Sequence, residues 1–387
     1  MIRKLLKFNW IIFAAMIALI TIGTVAIWSA GNARAEAIFH DMWINNLVTA
    51  LFGLVIYFAL AFTDYRKILD LVALPAYIAA IVMLIAVLIF GLTVDGGKRW
   101  LWFFQPSEIS KVCIIMFIAW LFGGDYERPR TSFKWFAIAF AIIAVPSVLI
   151  LVEPDLGTAL TLVPASVIML LVARVWRRGL LTLTITGAIV AFAILGAVYE
   201  AEKSGVDADR RAKILRMVPL KPHQIDRVKV YLFPDEDVLN SGYNLRQAKI
   251  SIGSGGLTGK GIGKGETNHL KYLPQSISMN DFIFCVWAEE MGYIGSLVLL
   301  ALFGAIVVPG CWVAFTCTDG RGRLIALGVS SIVFAHVYIN IAMSIGLLPI
   351  TGLPLPFISS GRTFLITVMT GLGLIQSVSV HREENKR

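Results

Sequence analysis

Residues 10–30 read WIIFAAMIALITIGTVAIWSA, a run with no charge and with an apolar or small side chain at nearly every position. As a helix rising about 1.5 Å per residue it spans roughly 30 Å, the thickness of a bilayer's hydrocarbon core. Lipid offers no hydrogen bonds to bare backbone, so a run of this kind has to be helical. No small-residue cleavage site follows a short apolar core, and residues 1–30 therefore read as a retained helix rather than a signal peptide.

Comparable runs recur at 43–62, 70–92, 107–123, 134–151, 157–173, 180–200, 281–313, 324–347 and 363–381. With 57% of residues hydrophobic and only 15% charged, and without the alternation of a β-barrel, the expected fold is an all-α polytopic membrane protein of about ten transmembrane helices. It is read as one integral membrane domain over 1–387. The eighth run exceeds what a perpendicular helix needs, which predicts tilt, extension beyond the bilayer or a kink near Gly292 and Gly295.

An even number of spans puts both termini on one side. The tails and loops on that side hold sixteen Lys and Arg, among them Arg66, Arg130, Arg174 and Arg321, against Arg34, Lys98, Arg99 and Arg362 in the short opposite loops. The positive-inside rule then places both termini in the cytoplasm. Anionic lipid beside those loops accounts for much of the net charge of +9, so no nucleic-acid partner is needed. Between the seventh and eighth spans lies a long extracytoplasmic loop, 201–280. Its stretch RRAKILRMVPLKPHQIDRVKVYLF suits an amphipathic helix at the headgroups, broken at Pro219 and Pro222, where basic residues attract phosphate-bearing membrane lipids.

Cys113, Cys285, Cys311 and Cys317 lie in spans or at a cytoplasmic end, without metal spacing or a disulfide framework, and read as packing residues. Charges at membrane depth are the functional candidates. In QPSEISK, Glu108 and Lys111 are three apart and share a helix face, either as an ion pair that fixes packing or as an acid and a base facing a polar cavity. Lys98 and Arg99 are interfacial anchors or phosphate ligands. In EPDLGTAL, Pro154 forces a turn after Glu153, and Asp155 either caps the sixth span or helps hold a cation or a basic partner. In KYLPQSISMNDFIFCVWAEE, residues 271–290, a loop-like segment runs into an apolar one with Asp281 at the seam. An acid in a helix's first turn is favourable by about 0.3–1 kcal/mol without any catalysis, so cap and catalyst both remain open for it. Glu289 and Glu290 lie two turns deeper, where one of them is a candidate partner for Lys111.

Read in order, GGKRW, QPSEISK, EPDLGTAL, QIDRVKVYLFPDEDVLNSGYNLRQAKISIGSGGLTGKG, NDFIFCVWAEEMGYIG and GLLPITGLPLPFISSG resemble the SEDS family of RodA, FtsW and SpoVE. IGSGGLTGKG and the short N-terminal tail look most like the RodA branch. The resemblance implies a peptidoglycan glycosyltransferase that polymerises lipid II during cell-wall elongation and shape maintenance. It also implies a site at the outer face of the inner membrane and a class B penicillin-binding protein transpeptidase as partner. The family's essential aspartate falls on Asp281. The chain departs from the family's usual pattern at Gln275, Asn280 and residues 361–363.

Forming a glycosidic bond requires a base for the acceptor hydroxyl and cations for the departing lipid diphosphate. Asp281 is the expected general base. Lys98, Arg99 and Lys111, with or without a divalent cation such as Mg or Mn, are the expected diphosphate ligands. Glu108, Asp155 and Ser254 complete the expected substrate-contacting set. A flippase for lipid-linked sugars and a non-catalytic scaffold are the competing functions. The absence of similarity between the two halves disfavours transport by inverted repeats.

Overall fold

The computed structural model describes residues 6–32, 41–94, 97–102, 104–124, 130–153, 155–203, 207–218, 220, 222–233, 241–266 and 278–382. Arg34, Pro154, Pro219 and Gln275 lie outside the described residues. Among those described, nine helices are long and apolar enough to cross a membrane. They are α1 (Trp10–Asn32), α2 (Met42–Phe62), α3 (Tyr65–Phe90), α4 (Pro106–Gly123), α5 (Phe133–Val152), α7 (Arg177–Glu202), α11 (Ile283–Thr316), α12 (Gly320–Ser344) and α13 (Arg362–His381). A tenth, α6 (Leu156–Val172), is apolar but shorter. Each expected span is a helix, and the chain is a multi-pass membrane protein.

Three shorter helices, α8 (Ala208–Met217), α9 (Pro222–Leu232) and α10 (Ser241–Ser254), occupy the long connection between α7 and α11. The expected amphipathic segment is thus two helices, the second opening on Pro222, whose missing N–H costs nothing at a first helical position. α8 buries none of its residues, whereas α9 turns Val230 inward and α10 turns in Leu245, Ala248 and Ser251.

The helices divide by how much protein surrounds them. α13 packs on α2, α4 and α12, and α12 packs on α11, α4 and α6. Both carry buried polar groups, including His336, Asn340 and Gln376. α7 is the opposite case, burying only Gly179, Leu180, Val198 and Ala201. Its apolar residues face what would be lipid.

The long helix α11 breaks at Gly292, where φ is 65° and ψ is −163°, as the excess length of that span predicts. A break exposes backbone groups that must find partners. The glycine-rich segment after α10 supplies them. Lys260 N–H donates to the Glu289 carbonyl at 3.0 Å and Gly261 N–H to that of Glu290 at 2.9 Å, while Tyr293 N–H donates to Gly256 and Ile294 N–H to Leu257. Contact is so close that a Cβ on Gly259 would lie 2.1 Å from the Glu290 carbonyl oxygen. The glycines therefore serve as a backbone splint on α11.

A two-stranded hairpin, β1 (Leu92–Val94) and β2 (Gly97–Trp100), follows α3. It lies at the end of the bundle that also carries the starts of α4, α6, α11 and α13.

Candidate active site

A cavity of about 380 Å³ opens at this end of the bundle. Strand β2 contributes Arg99 and Trp100, α4 contributes Glu108, α6 contributes Thr158 with Asp155 at its N-cap, and α9 contributes Arg227. Asn280 and Asp281 enter from the segment before α11, α10 adds Asn244, and residues 350–364 form most of the remaining wall. Five segments distant in sequence thus bring carboxylates and guanidinium groups to one volume.

Asp281 is half-buried. α11 begins at Ile283 with Phe282 at its N-cap, so Asp281 stands outside the first turn rather than within it. Its backbone is held on several sides. Asn340 Nδ2 donates to the Asp281 carbonyl at 2.9 Å and to the Leu353 carbonyl at 2.7 Å. Ser359 Oγ donates to the Asn280 carbonyl at 2.6 Å, and Ser360 N–H donates to that of Met279 at 3.1 Å. The side chain lies against Gly352, whose φ of +73° suits glycine. A Cβ placed there would be 3.4 Å from Asp281 Oδ2 and 3.9 Å from both terminal nitrogens of Arg227. The carboxylate and the guanidinium therefore converge on one point.

Arg227 Nη1 donates to the Thr351 carbonyl at 3.1 Å. Burial pushes the Arg227 pKa down and the neighbouring charge of Arg99 pushes it further, while Asp281 and Asp155 oppose both. Two guanidinium groups close enough to disfavour one another make a setting in which an anionic ligand is welcome.

Asp155 fills the expected capping role, and its other oxygen is taken by neutral donors. It caps α6, Oδ1 accepting from Thr158 N–H at 3.1 Å, and its Oδ2 faces Gln105 Nε2 at 3.0 Å, Ser107 Oγ at 3.1 Å and Thr158 Oγ1 at 2.8 Å. Glu153, at the turn before it, is fully buried with both oxygens lacking a hydrogen-bond partner among the described residues. Burial pushes it up to about 8, Asp155 adding to the effect and Arg99 opposing it.

Three expected ligands stand elsewhere. Lys111 does not reach the cavity. It is 1% exposed, 2.7 Å from Glu108 Oε2 and 2.8 Å from His336 Nε2, because the α4 face it shares with Glu108 turns into the protein. Lys98 is exposed on β2, where strand alternation turns it away from the side that carries Arg99. Ser254 ends α10 and donates to the Ser251 carbonyl at 2.9 Å, outside the cavity. Neither deeper acid of α11 meets Lys111. Glu289 accepts from Lys260 Nζ at 2.9 Å, Ser251 Oγ at 3.1 Å and Glu266 N–H at 2.9 Å, and Glu290 accepts from Ser29 Oγ on α1. All four cysteines are free, and all but the half-buried Cys311 are buried.

Arg227, Asn340 and His336 were not singled out by charge at membrane depth. Arg227 sits in a basic, amphipathic stretch that reads as a headgroup-lying helix, and the other two are uncharged in the spans. A polar side chain inside the apolar run of α12 is the signal that would have found them.

Fold and cavity together define a multi-pass membrane protein with a charged chamber suited to an anionic ligand at one end of its bundle. The chain belongs to the cell cycle protein family of FtsW, RodA and SpoVE, whose family model matches residues 9–384. It is 34% identical over 372 residues to the peptidoglycan glycosyltransferase MrdB of Escherichia coli K12, covering 95% of this chain and 92% of that protein. To the peptidoglycan glycosyltransferase RodA of Treponema pallidum it is 29% identical, covering 98% of this chain and 99% of the relative. Among solved structures, a chain of a peptidoglycan synthase complex that coordinates polymerization and crosslinking superimposes with a TM-score of 0.75 at 26% identity, over 98% of this chain and 99% of that one. The rod shape determining protein RodA of Thermus thermophilus shares the fold at a TM-score of 0.65 and 23% identity, over 98% of each chain.

Proposed function

We propose that this chain is a peptidoglycan glycosyltransferase that joins lipid II units into glycan strands, with Asp281 as general base. The observation that carries the reading is the convergence of the Asp281 carboxylate and the Arg227 guanidinium beside Gly352, in a cavity that Arg99 also lines. The acceptor sugar's hydroxyl oxygen attacks the anomeric carbon and its proton passes to Asp281. The bond from that carbon to the lipid diphosphate breaks, and the electron pair leaves on the diphosphate. Arg99 and Arg227 are the groups that stabilise this departing charge, in place of Lys98 and Lys111. A positioned base contributes typically about 10²–10⁴-fold.

A divalent cation such as Mg or Mn would draw on the Asp281 carboxylate and the substrate diphosphate, because the other acids of the cavity are engaged. Asp155 Oδ2 already accepts from three donors, Glu108 is paired with Lys111, and no three metal-binding side chains gather among the described residues.

The asymmetry of basic loops supports an orientation with both termini in the cytoplasm and the cavity at the outer face of the bacterial inner membrane. The solved neighbour from a peptidoglycan synthase complex supports a cross-linking partner of the class B penicillin-binding protein type. Polymerisation of labelled lipid II by the purified chain, alone and with that partner, tests the reading. Glycan strands are the expected product, and translocation of lipid II without polymer would overturn it in favour of transport.

A further inference from the structure

Glu108, a carboxylate of the cavity wall, is backed by a buried cation, and that cation is itself held by a third group. Lys111 Nζ lies between Glu108 Oε2 at 2.7 Å and His336 Nε2 at 2.8 Å. All three side chains are buried, with His336 at 0% exposure. The tautomer of His336 follows from its two neighbours. A carbonyl oxygen only accepts and an ammonium only donates. His336 Nδ1 faces the Pro354 carbonyl at 3.3 Å, so the ring proton belongs on Nδ1 and the lone pair of Nε2 meets Lys111. An imidazolium would instead aim a second N–H at the ammonium.

Phe364 closes this arrangement. Its ring centroid is 5.3 Å from Lys111 Nζ and 4.6 Å from the His336 ring, and Phe364 and Pro354 both line the cavity. The imidazole thus joins α4 to the same residue 350–364 wall that Asn340 ties to the Asp281 backbone.

We infer that His336 is a positioning residue for glycosyl transfer, a neutral Nδ1–H imidazole that holds the Lys111 ammonium against Glu108 and fixes that carboxylate in the cavity wall. The inference rests on the glycosyltransferase reading and adds a residue that touches no substrate. A misplaced group in a reacting site costs up to about 10²-fold in rate, which sets the scale of the effect.

The test measures kcat and KM for lipid II polymerisation by the full chain in bilayer discs. H336L, which neither donates nor accepts, should lower kcat about 10–100-fold with KM little changed. H336Q offers an oxygen to Lys111 and an N–H to Pro354, and should recover most of the turnover. Turnover by H336L equal to that of the wild type, or an H336Q variant no better than H336L, would overturn the inference. A second measurement needs neither activity nor the leucine variant. In the 15N-histidine-labelled wild-type chain, with the His336 signals assigned by their loss in H336Q, Nδ1 should show the protonated and Nε2 the unprotonated shift. The reverse pattern, or protonation of both nitrogens at pH 7, would overturn it. An inactive wild type with the expected nitrogen shifts would place the failure in the glycosyltransferase reading rather than in the His336 geometry.

Discussion

Asp281 and Glu289 belong to the same stretch of chain, one just before α11 and one in its second turn, and their surroundings could hardly differ more. Glu289 is 1% exposed and accepts hydrogen bonds from Lys260, Ser251 and the Glu266 backbone. Its charge is neutralised by the glycine-rich segment that splints the Gly292 break, and it holds the fold together. Asp281 is half-buried, its backbone pinned by Asn340 and its carboxylate aimed with Arg227 at a cavity large enough for a substrate group. An acid near apolar sequence is informative only once its partners are known. Glu289 is built in as a support, whereas Asp281, with its backbone pinned at the edge of a charged volume, is the acid we propose as the reagent.

The two acids should respond to substitution in opposite ways. Asp281→Asn should lower polymerisation turnover by about 10²–10⁴-fold while leaving the melting temperature in detergent close to that of the wild type. A large fall in stability would make Asp281 a support like Glu289. Arg227→Gln comes next, with an expected loss of about 10²–10³-fold in kcat, the scale for removing one donor to a developing charge. An unchanged kcat would remove Arg227 from the diphosphate's neighbourhood. Glu289→Gln should show the opposite profile, losing about 1–3 kcal/mol of stability because Lys260 and Ser251 lose a charged acceptor, with turnover per folded molecule retained.

The smallest effect concerns Glu153. Its folded pKa of about 8 lies above the ordinary value of 4.5, so the native state holds a proton that the unfolded chain has released. The contribution to stability is full below about 4.5 and is lost as pH rises toward 8. Glu153→Gln should flatten the stability profile across that window, as read by thermal melting at stepped pH. A profile that stays as steep as in the wild type would mean that Glu153 does not titrate there.

The ten helices were legible because lipid imposes a length and a composition on every crossing, and even the break in α11 could be read from its excess length. α3 begins at Tyr65, ahead of the apolar run expected from residue 70, because Asp64 caps it through Arg66 N–H at 3.0 Å, a signal that hydropathy does not weigh. In the cavity, Asp281, Asp155, Glu108 and Arg99 stood out as charges beside spans. The i, i+3 spacing of Glu108 and Lys111 correctly placed them on one face but could not say that the face turns Lys111 inward, toward His336. Arg227 was hidden for a different reason, since its amphipathic surroundings are those of a helix on a lipid surface and only the fold of the long connection carries it over the cavity. Of the departures from the family pattern, Asn280, Gly361 and Thr363 line the cavity, so any change they make in substrate handling acts at the site itself.

We propose that Asp281 performs chemistry rather than capping a helix. Its most direct test is the single-turnover rate of glycosidic bond formation at saturating lipid II, with lipid II binding measured on the same samples of wild type and Asp281→Asn. The variant should bind within a few-fold of wild type and form the bond at least about 10²-fold more slowly. Equal rates of bond formation in the two proteins would contradict it.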